Sequence, residues 1–510
     1  MYSYEWDPET GGLILNETPP KVNREPRPVY SRELDNLGFD KVWTYPKTDE
    51  VPIMWAEASK YIYRGRKVAK RSGGTLFTPP EIAFFEAPEP PGVPLRPVDV
   101  DAMVEKNRLL TEKLEDETIK KIRDVYEKFK QKGAVFSVGF SGGKDSAVLL
   151  DLVKKAIPEK DFFVSFNDTG MELPETYINV DETKKECEEE GIPFVVSASR
   201  FAPDESWRLF GPPSRKKNRW CCSVHKSVPS VLKIRKLMGN KLIIGTSGVR
   251  AAESFARSKY NEVEKAGIIK GELRFSPLLN WSSAEIWLYL FLRKIPVNIE
   301  YKKGFGRIGC IMCPHASDYV NSLTIKLYPD ETKKYCDLIK SFTDKARSRT
   351  KDWLETGSWK GRQVGLGAKE NFSFVEKEDR FLLSFKKEKN WREWREWYRT
   401  VGELEEIDKN NFKIEFQGVW RRGKFAETED KVFFEVEKGE RNRNSIAFFS
   451  RFKKIIIKAL FCVRCGYCAV NCPFGNMEMD GDEIKINDSC TKCGACLKES
   501  YACIRYKSIK

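Results

Sequence analysis

The stretch VGFSGGKDSAVLL, residues 138–150, runs from an apolar strand pattern through a double-glycine turn into an apolar helical pattern. Glycines at such a junction let the backbone approach an anion, and the first N–H groups of the helix point at it. Ser141, Gly142, Gly143, Lys144, Asp145 and Ser146 therefore form a phosphate cradle, with Lys144 adding a positive charge. The loop alone establishes that phosphate is held, not whether it is attacked.

Around this loop, strand-like and helix-like segments alternate: AVFSVGF, SAVLLDLVKKAI, DFFVSF, PETYINVDETKKECEEEG, PFVVSA, SVLKIRKLMG and KLIIGTSG. Such alternation predicts an α/β fold, a doubly wound and mostly parallel sheet with helices on both faces. Upstream, the stretch from Asp101 to Gly133 keeps helical spacing and predicts a helix or a helical pair. Residues 1–100 are proline- and aromatic-rich and end in APEPPGVPLRPVDV, an extended linker. The catalytic domain is expected over 101–323, followed by a basic helical extension over 324–369. Residues 370–455 mix strand-like FLLSF, FKIEFQG and KVFFEVEKG with helix-like NWREWREWYRTVG, which predicts an α+β accessory domain. Its tryptophans at 391, 394 and 397 keep helical spacing and suit core packing. Residues 456–510 are short, cysteine-dense and interrupted by Gly, Asn and Asp.

A chain of 510 residues is too long for one core, and a formal charge of +14 favours anionic partners: nucleotides, nucleic acid or an acidic protein. The N-terminus MYSYEWDPET has neither a basic lead nor an apolar core, and no apolar run is long enough to span a bilayer. A cytoplasmic location is the expectation. In that compartment the 14 cysteines would be reduced, so their spacing points to metal ligation rather than disulfides. Only Cys187 and Cys336 stand outside the patterned groups.

The loop is not the G-x-x-x-x-G-K-[ST] of the common NTPases. It resembles the signature of the adenine nucleotide alpha-hydrolase group, which includes ATP pyrophosphatases and phosphoadenylyl-sulfate (PAPS) reductases. NDTGMELPETY, residues 167–177, resembles the D-T-G-x-x-F-P-E-T element of the PAPS reductases, and Asp168 would lie at the carboxyl end of a parallel strand. GTSGVRAAESFARSK, residues 245–259, resembles their basic turn; FSPLLNWSSAEIWLYL and IPVNIEYKKGFGRIGCIMCP resemble the elements that follow. The resemblance covers about residues 130–320. It implies a sulfonucleotide reductase that converts PAPS to sulfite and adenosine 3',5'-bisphosphate, with Arg250, Arg257 and Lys226 meeting the sulfate. Arg guanidinium groups suit such an oxyanion because they bind it bidentately. His225 either shares that role or is structural. The run GPPSRKKNRW, ending at Arg219 and Trp220, neutralises a 3'-phosphate or is a solvated basic loop, so adenylyl sulfate stays open as the substrate.

Cys221 and Cys222, with Cys310 and Cys313, resemble the cluster pattern of iron-sulfur adenylyl-sulfate reductases, which implies a 4Fe-4S cluster; four thiolates also suit zinc. Cys462, Cys465, Cys468 and Cys472-Pro473 form the C-x-x-C-x-x-C-x-x-x-C-P run of bacterial-type ferredoxins, and Cys490, Cys493, Cys496 and Cys503 follow. Because the fourth cysteine of each run crosses over, one 4Fe-4S cluster is expected on 462, 465, 468 and 503, and another on 490, 493, 496 and 472. The E-C-G-(L/I)-H tail that carries the family's nucleophilic cysteine is missing from this sequence. Cys503 lies near the C-terminus and is either that nucleophile or a cluster ligand. If it is a ligand, the sulfonate is held on another thiol or reduced directly. The implied partners are the sulfonucleotide and an electron-donating flavoprotein, and the chain is expected to form an oligomer. Two rivals remain: an ATP-dependent enzyme that transfers sulfur to tRNA or another nucleic acid, and an electron-transfer or regulatory subunit that only senses a nucleotide.

Overall fold

A computed structural model describes residues 1–20, 25–215, 219–239, 241–265, 272–343, 352–362, 372–388, 391–440, 442–480, 483–498 and 502–509. The chain divides into two compact units, residues 1–198 with 234–333, and residues 199–233 with 334–510.

The first unit opens with a hairpin of β1 (Ser3–Trp6) and β2 (Leu13–Asn16). An antiparallel sheet follows, made in order from β3 (Pro26–Val29), β4 (Met54–Glu57), β5 (Lys60–Tyr63), β6 (Arg66–Ser72) and β7 (Glu81–Phe84). The central sheet is built from β8 (Val135–Phe140), β9 (Phe162–Asp168), β10 (Phe194–Ala198), β11 (Ile243–Thr246), β12 (Val263–Lys265) and β13 (Glu272–Phe275). Its spatial order is β10-β9-β8-β11-β13-β12, parallel except for the edge strand β12. Strands β8 and β9 are almost continuously apolar because both faces of a parallel sheet are covered. On one face, Val138 and Val164 share a core with Ile122, Leu149 and Trp287 from three helices, Val100–Lys130, Lys144–Ala156 and Ser283–Leu292. On the other, Phe163 and Ile243 pack with Ile234.

The expected helix or helical pair after residue 100 is one 31-residue helix, its first turn capped by Asp99, which accepts from Ala102 N at 3.0 Å. Leaving β8, the chain runs to β9 and β10 on one side, whereas β11 and β13 lie on the other. That reversal opens a crevice at the carboxyl ends of the strands, the place where open α/β sheets bind ligands.

The second unit is built on an antiparallel sheet of β14 (Phe372–Glu376), β15 (Arg380–Lys386), β16 (Leu404–Glu406), β17 (Asn411–Phe416), β18 (Val419–Glu427) and β19 (Lys431–Glu437), in the order β14-β15-β19-β18-β17-β16. The helix Arg443–Phe461 packs Phe448, Phe452, Ile455 and Ile456 onto it. Trp391, Trp394 and Trp397 lie in the same core, as their spacing predicts. That core also takes in Ala469, Met477, Ile486 and Leu497, so the cysteine-dense region and the sheet share one interior. Residues 199–233 join this unit through the helix Pro203–Phe210: Trp207 lies 4.9 Å from Tyr335 and 6.1 Å from Trp359, ring to ring. Arg505 Nε donates to Leu209 O at 3.3 Å, tying the C-terminal helix to the same segment. Among the described residues, no helix is long and apolar enough to cross a membrane.

Candidate functional site

The loop of residues 141–146 joins β8 to the helix Lys144–Ala156. Gly142 has φ +70°, and a Cβ there would stand 2.8 Å from Thr176 Cγ2, so conformation and space both demand glycine. Ser146 Oγ donates to Gly143 O at 2.7 Å and accepts from Ser141 N at 3.2 Å, which closes the turn. Two neighbours brace it: Tyr301 Oη accepts from Lys144 N at 3.0 Å, and Asn298 Nδ2 donates to Gly142 O at 3.3 Å.

Charge is concentrated beside this turn. Asp145 takes Lys144 Nζ at 2.6 Å on one carboxylate oxygen and Arg250 Nε at 2.6 Å on the other. Arg250, only 2% exposed, donates its two Nη groups to Glu25 at 2.9 and 2.7 Å. Burial alone would raise the Asp145 carboxyl, but the Lys144 and Arg250 charges hold it below the usual carboxylate range. Burial works against the Arg250 charge, and Glu25 and Asp145 keep it protonated. Gly248, at the entry to the basic turn, would place a Cβ 2.8 Å from Asp145 O, so the turn approaches the loop as closely as its backbone allows. Arg257 pairs with Glu253, whose Oε2 also accepts from Arg250 N at 3.1 Å, so Arg257 reaches Arg250 only through that carboxylate.

Asp168 ends β9, as expected, and its Oδ1 accepts from Gly170 N at 2.8 Å and from Tyr177 Oη at 2.9 Å. The next residues reach the C-x-x-C loop: Ile311 N donates to Met171 O at 2.6 Å, and Thr169 Oγ1 lies 3.7 Å from Cys310 Sγ. The D-T-G element and Cys310 thus form one surface.

Cys310 and Cys313 belong to the first unit, and Cys221 and Cys222 to the second. The adjacent pair forms a short turn, Trp220–Cys222, which continues as a π-helical turn over Ser223–Ser227, a rare backbone form that is frequent at functional sites. A hydrogen bond with Cys221 pushes the Cys222 thiol down to about 5 against its burial, and the Arg219 and Lys226 charges add to that. Arg219 Nε stands 3.3 Å from Cys222 Sγ, so this cation faces sulfur. His225 is 1% exposed and turned inward, with Nε2 2.8 Å from Ser206 Oγ. Residues 216–218 of the basic run lie outside the described residues.

In the C-terminal region, burial pushes the Cys462 thiol up to about 12, reinforced by Cys503 and Cys468; Cys465 is also raised, by burial and by Cys468, Cys503 and Cys462. The four sulfurs thus lie close enough to act on one another's charge. Cys503 is buried and its Sγ points to Phe461 O at 3.7 Å. Cys496 is pushed up to about 11 by burial, with Cys468 and Cys490 adding to the rise; Cys472 packs against the same core and Cys493 is exposed. Lys458, 1% exposed, donates to Cys468 Sγ and lies 4.6 Å from the Trp397 ring centroid. Among the described residues, no three His, Cys, Asp or Glu side chains converge as the ligands of a single metal ion would. The thiolates of a cubane cluster surround four irons instead, and the group 462, 465, 468 and 503 has the donor chemistry for one.

Residues 135–316 match the family described as phosphoadenosine phosphosulfate reductase domain. These residues form a domain of that family. The match takes in the Ser141–Ser146 loop, Asp168, Arg250 and Cys310 together. Among curated relatives, an uncharacterized protein of Methanocaldococcus jannaschii is 32% identical over 289 residues, 56% of this chain and 66% of that protein, so the chain spans just under two thirds of this relative's length. An adenosine 5'-phosphosulfate reductase of Geobacillus kaustophilus is 26% identical over 199 residues, 39% of this chain and 80% of that one. Among solved structures, a PAPS reductase from Candida auris in a phosphate complex is 21% identical, covers 34% of this chain and 80% of its own, and superposes with a TM-score of 0.27.

Two site features escape sequence reasoning in different ways. Tyr301 and Asn298 stand in the quoted IPVNIEYKKG motif, and their N-x-x-Y spacing was a usable signal. Glu25 lies 225 positions from its partner Arg250, and nothing local marks it.

Proposed function

We propose that the protein is a sulfonucleotide reductase. The observation that carries this reading is the Lys144–Asp145–Arg250 constellation at the carboxyl end of the parallel sheet, inside a domain of the PAPS reductase family. The 141–146 turn grips the nucleotide phosphates, which stay uncut. Arg250 exchanges a carboxylate for the incoming sulfate, a like-for-like swap of oxyanions that leaves the buried guanidinium neutralised throughout. At sulfur, the bond to the bridging oxygen breaks and two electrons enter. Sulfite leaves and the nucleotide departs as its phosphate. Adenylyl sulfate plus two electrons gives AMP and sulfite in full charge balance, and PAPS gives adenosine 3',5'-bisphosphate in the same way.

Cys462, Cys465, Cys468 and Cys503 would hold one 4Fe-4S cluster, and Cys472, Cys490, Cys493 and Cys496 another. Such clusters, when bound, supply electrons singly. The burial of Cys503 among its neighbouring thiols favours the ligand role over the nucleophile role. Cys221, Cys222, Cys310 and Cys313 would make a third cluster or a zinc site, and iron, sulfide and zinc content separates the two. A flavoprotein donor would refill the clusters. The named activity of the Geobacillus kaustophilus relative supports adenylyl sulfate beside PAPS as substrate.

Protein purified without oxygen and given a low-potential donor is expected to release sulfite from PAPS or adenylyl sulfate. Failure with both substrates overturns the reading. Pyrophosphate released from ATP on addition of RNA would instead establish the sulfur-transfer alternative.

A further inference from the structure

The first unit contains a cleft of about 790 Å³ between the N-terminal sheet and the 304–320 segment, which the proposed chemistry does not use. Its size lies within the range of small-ligand sites, roughly 300–1,000 Å³. Lys60 on β5 and Lys67 and Arg71 on β6 line it, and none of these three cations forms an ion pair among the described residues. The Arg71 guanidinium lies over the Tyr319 ring, with Cζ 3.3 Å from the ring centroid. Arg71 Nη1 and Tyr319 Oη are both shielded from solvent, and beyond their mutual contact neither has a well-formed hydrogen bond among the described residues. Buried polar atoms are normally satisfied, so a stacked guanidinium and a phenol left open on one cleft wall mark the place of an absent acceptor. Gly304, φ +106°, keeps that wall open, since a Cβ there would stand 3.1 Å from Tyr319 Oη and 2.9 Å from Glu33 Cγ.

The other cleft cation, Arg27, is already held bidentately by Glu33. The free positive charge therefore belongs to Lys60, Lys67 and Arg71. Trp6 and Ile62 supply a flat apolar wall beside them. Three unpaired cations call for a polyvalent oxyanion, and an indole calls for a planar ring. Glu25 also lines the cleft, and its carboxylate holds Arg250, so the cleft abuts the nucleotide loop across one side chain.

We infer that this cleft binds a nucleotide as a second ligand, its phosphate on Arg71, Lys67 and Lys60 and its base against Trp6. The nucleotide is either free or a unit of an RNA chain. The inference does not depend on the reductase reading, because it concerns a separate cavity.

The test is equilibrium binding of AMP to the full-length protein, alone and with competing inorganic phosphate or a short single-stranded RNA. Two AMP sites per chain are expected. Lys144→Met should remove the site at the loop, and Arg71→Met should weaken the other at least tenfold while sulfite release is retained. Lys67→Met, on an exposed strand position, repeats the test where loss of the Arg71–Tyr319 stack impairs folding, and Arg71→Lys should restore binding only in part. RNA that displaces AMP from the Arg71-dependent site identifies the polymer as the source; AMP that RNA leaves in place identifies the free nucleotide. The absence of any AMP site that Arg71→Met and Lys67→Met weaken would overturn the inference, whether or not the loop site is occupied.

Discussion

Two cations are buried at the chemical centres of this protein, Arg250 in the first unit and Lys458 in the second, and their partners differ in kind. Arg250 is neutralised by carboxylates, Asp145 on Nε and Glu25 on both Nη groups. Lys458 has no carboxylate partner among the described residues; its neighbours are the sulfurs of Cys468, Cys503 and Cys496. Burial disfavours its ammonium form, yet the sulfur neighbours raise its pKa overall. The difference separates two kinds of site. The arginine centre is electrically complete without a ligand, which is what the proposed exchange requires. The lysine centre is complete only when negative sulfur surrounds it, and its contacts reach both groups of C-terminal cysteines, so its charge acts on both proposed clusters.

The largest effect should follow from breaking the lysine centre. Cys468→Ala leaves a buried ammonium without its closest hydrogen-bond partner, and stripping a buried charged group of such a bond costs more than about 3 kcal/mol. Denaturant unfolding of the second unit reads this loss. Adding Lys458→Met should recover much of it, because an apolar chain of similar length needs no counter-charge. If the double variant is no more stable than Cys468→Ala, the two groups are not coupled and the comparison fails. In the cluster-loaded protein, Lys458→Met alone should move the reduction potentials of both clusters to more negative values.

The same operation on the arginine centre should cost somewhat less. Asp145→Asn leaves Lys144 and Arg250 side by side with Glu25 as their remaining carboxylate, a loss of about 3 kcal/mol. Here phosphate should rescue, since an anion that binds the folded state stabilises it by mass action. Thermal unfolding with and without phosphate checks this, and an Asp145→Asn protein indifferent to phosphate would show that the centre does not work by exchange.

How much of this was visible in the chain depends on sequence distance. The 141–146 loop, Asp168 at the end of β9 and the parallel sheet were legible because strand, turn and helix patterns are local and the strands are apolar throughout. The grouping of 199–233 with 334–510 was not, because Trp207 meets Tyr335 and Trp359 more than a hundred positions away. Glu25 escaped for the same reason. The five-stranded N-terminal sheet was hidden by prolines at 26 and 28, which sit on edge strand β3, where a missing N–H is tolerated. Lys458 falls on the buried stripe of an amphipathic helix, between Ile455–Ile457 and Ala459-Leu460, where nothing local announces sulfur partners.

One carboxyl of the first unit sharpens the contrast by escaping full neutralisation. Burial pushes Glu272 up to about 7, with Arg274 opposing only in part. At low pH the carboxyl is protonated whether the chain is folded or not. As pH rises through the ordinary range near 4.5, the unfolded chain ionises first, so the folded state binds more protons and stability falls until pH reaches about 7. The whole fall should be about 3 kcal/mol. Glu272→Gln should flatten the stability profile across that window and be the more stable protein above it. Parallel curves for the two proteins would show that Glu272 titrates normally.

The smallest effect probes the exchange itself. Glu25 is the more exposed of the two carboxylates on Arg250, its side chain 36% accessible against 21% for Asp145, so it is the one an incoming oxyanion displaces more readily. Glu25→Gln removes that competitor and keeps the size of the side chain. Phosphate and adenosine 3',5'-bisphosphate should then bind several-fold more tightly, about 1 kcal/mol, the scale of a partly solvated charge pair. Calorimetry at two salt concentrations reads the change, and the gain should shrink as salt screens the competing carboxylate. If binding weakens instead, Glu25 positions Arg250 rather than holding its place for substrate, and the exchange must run through Asp145.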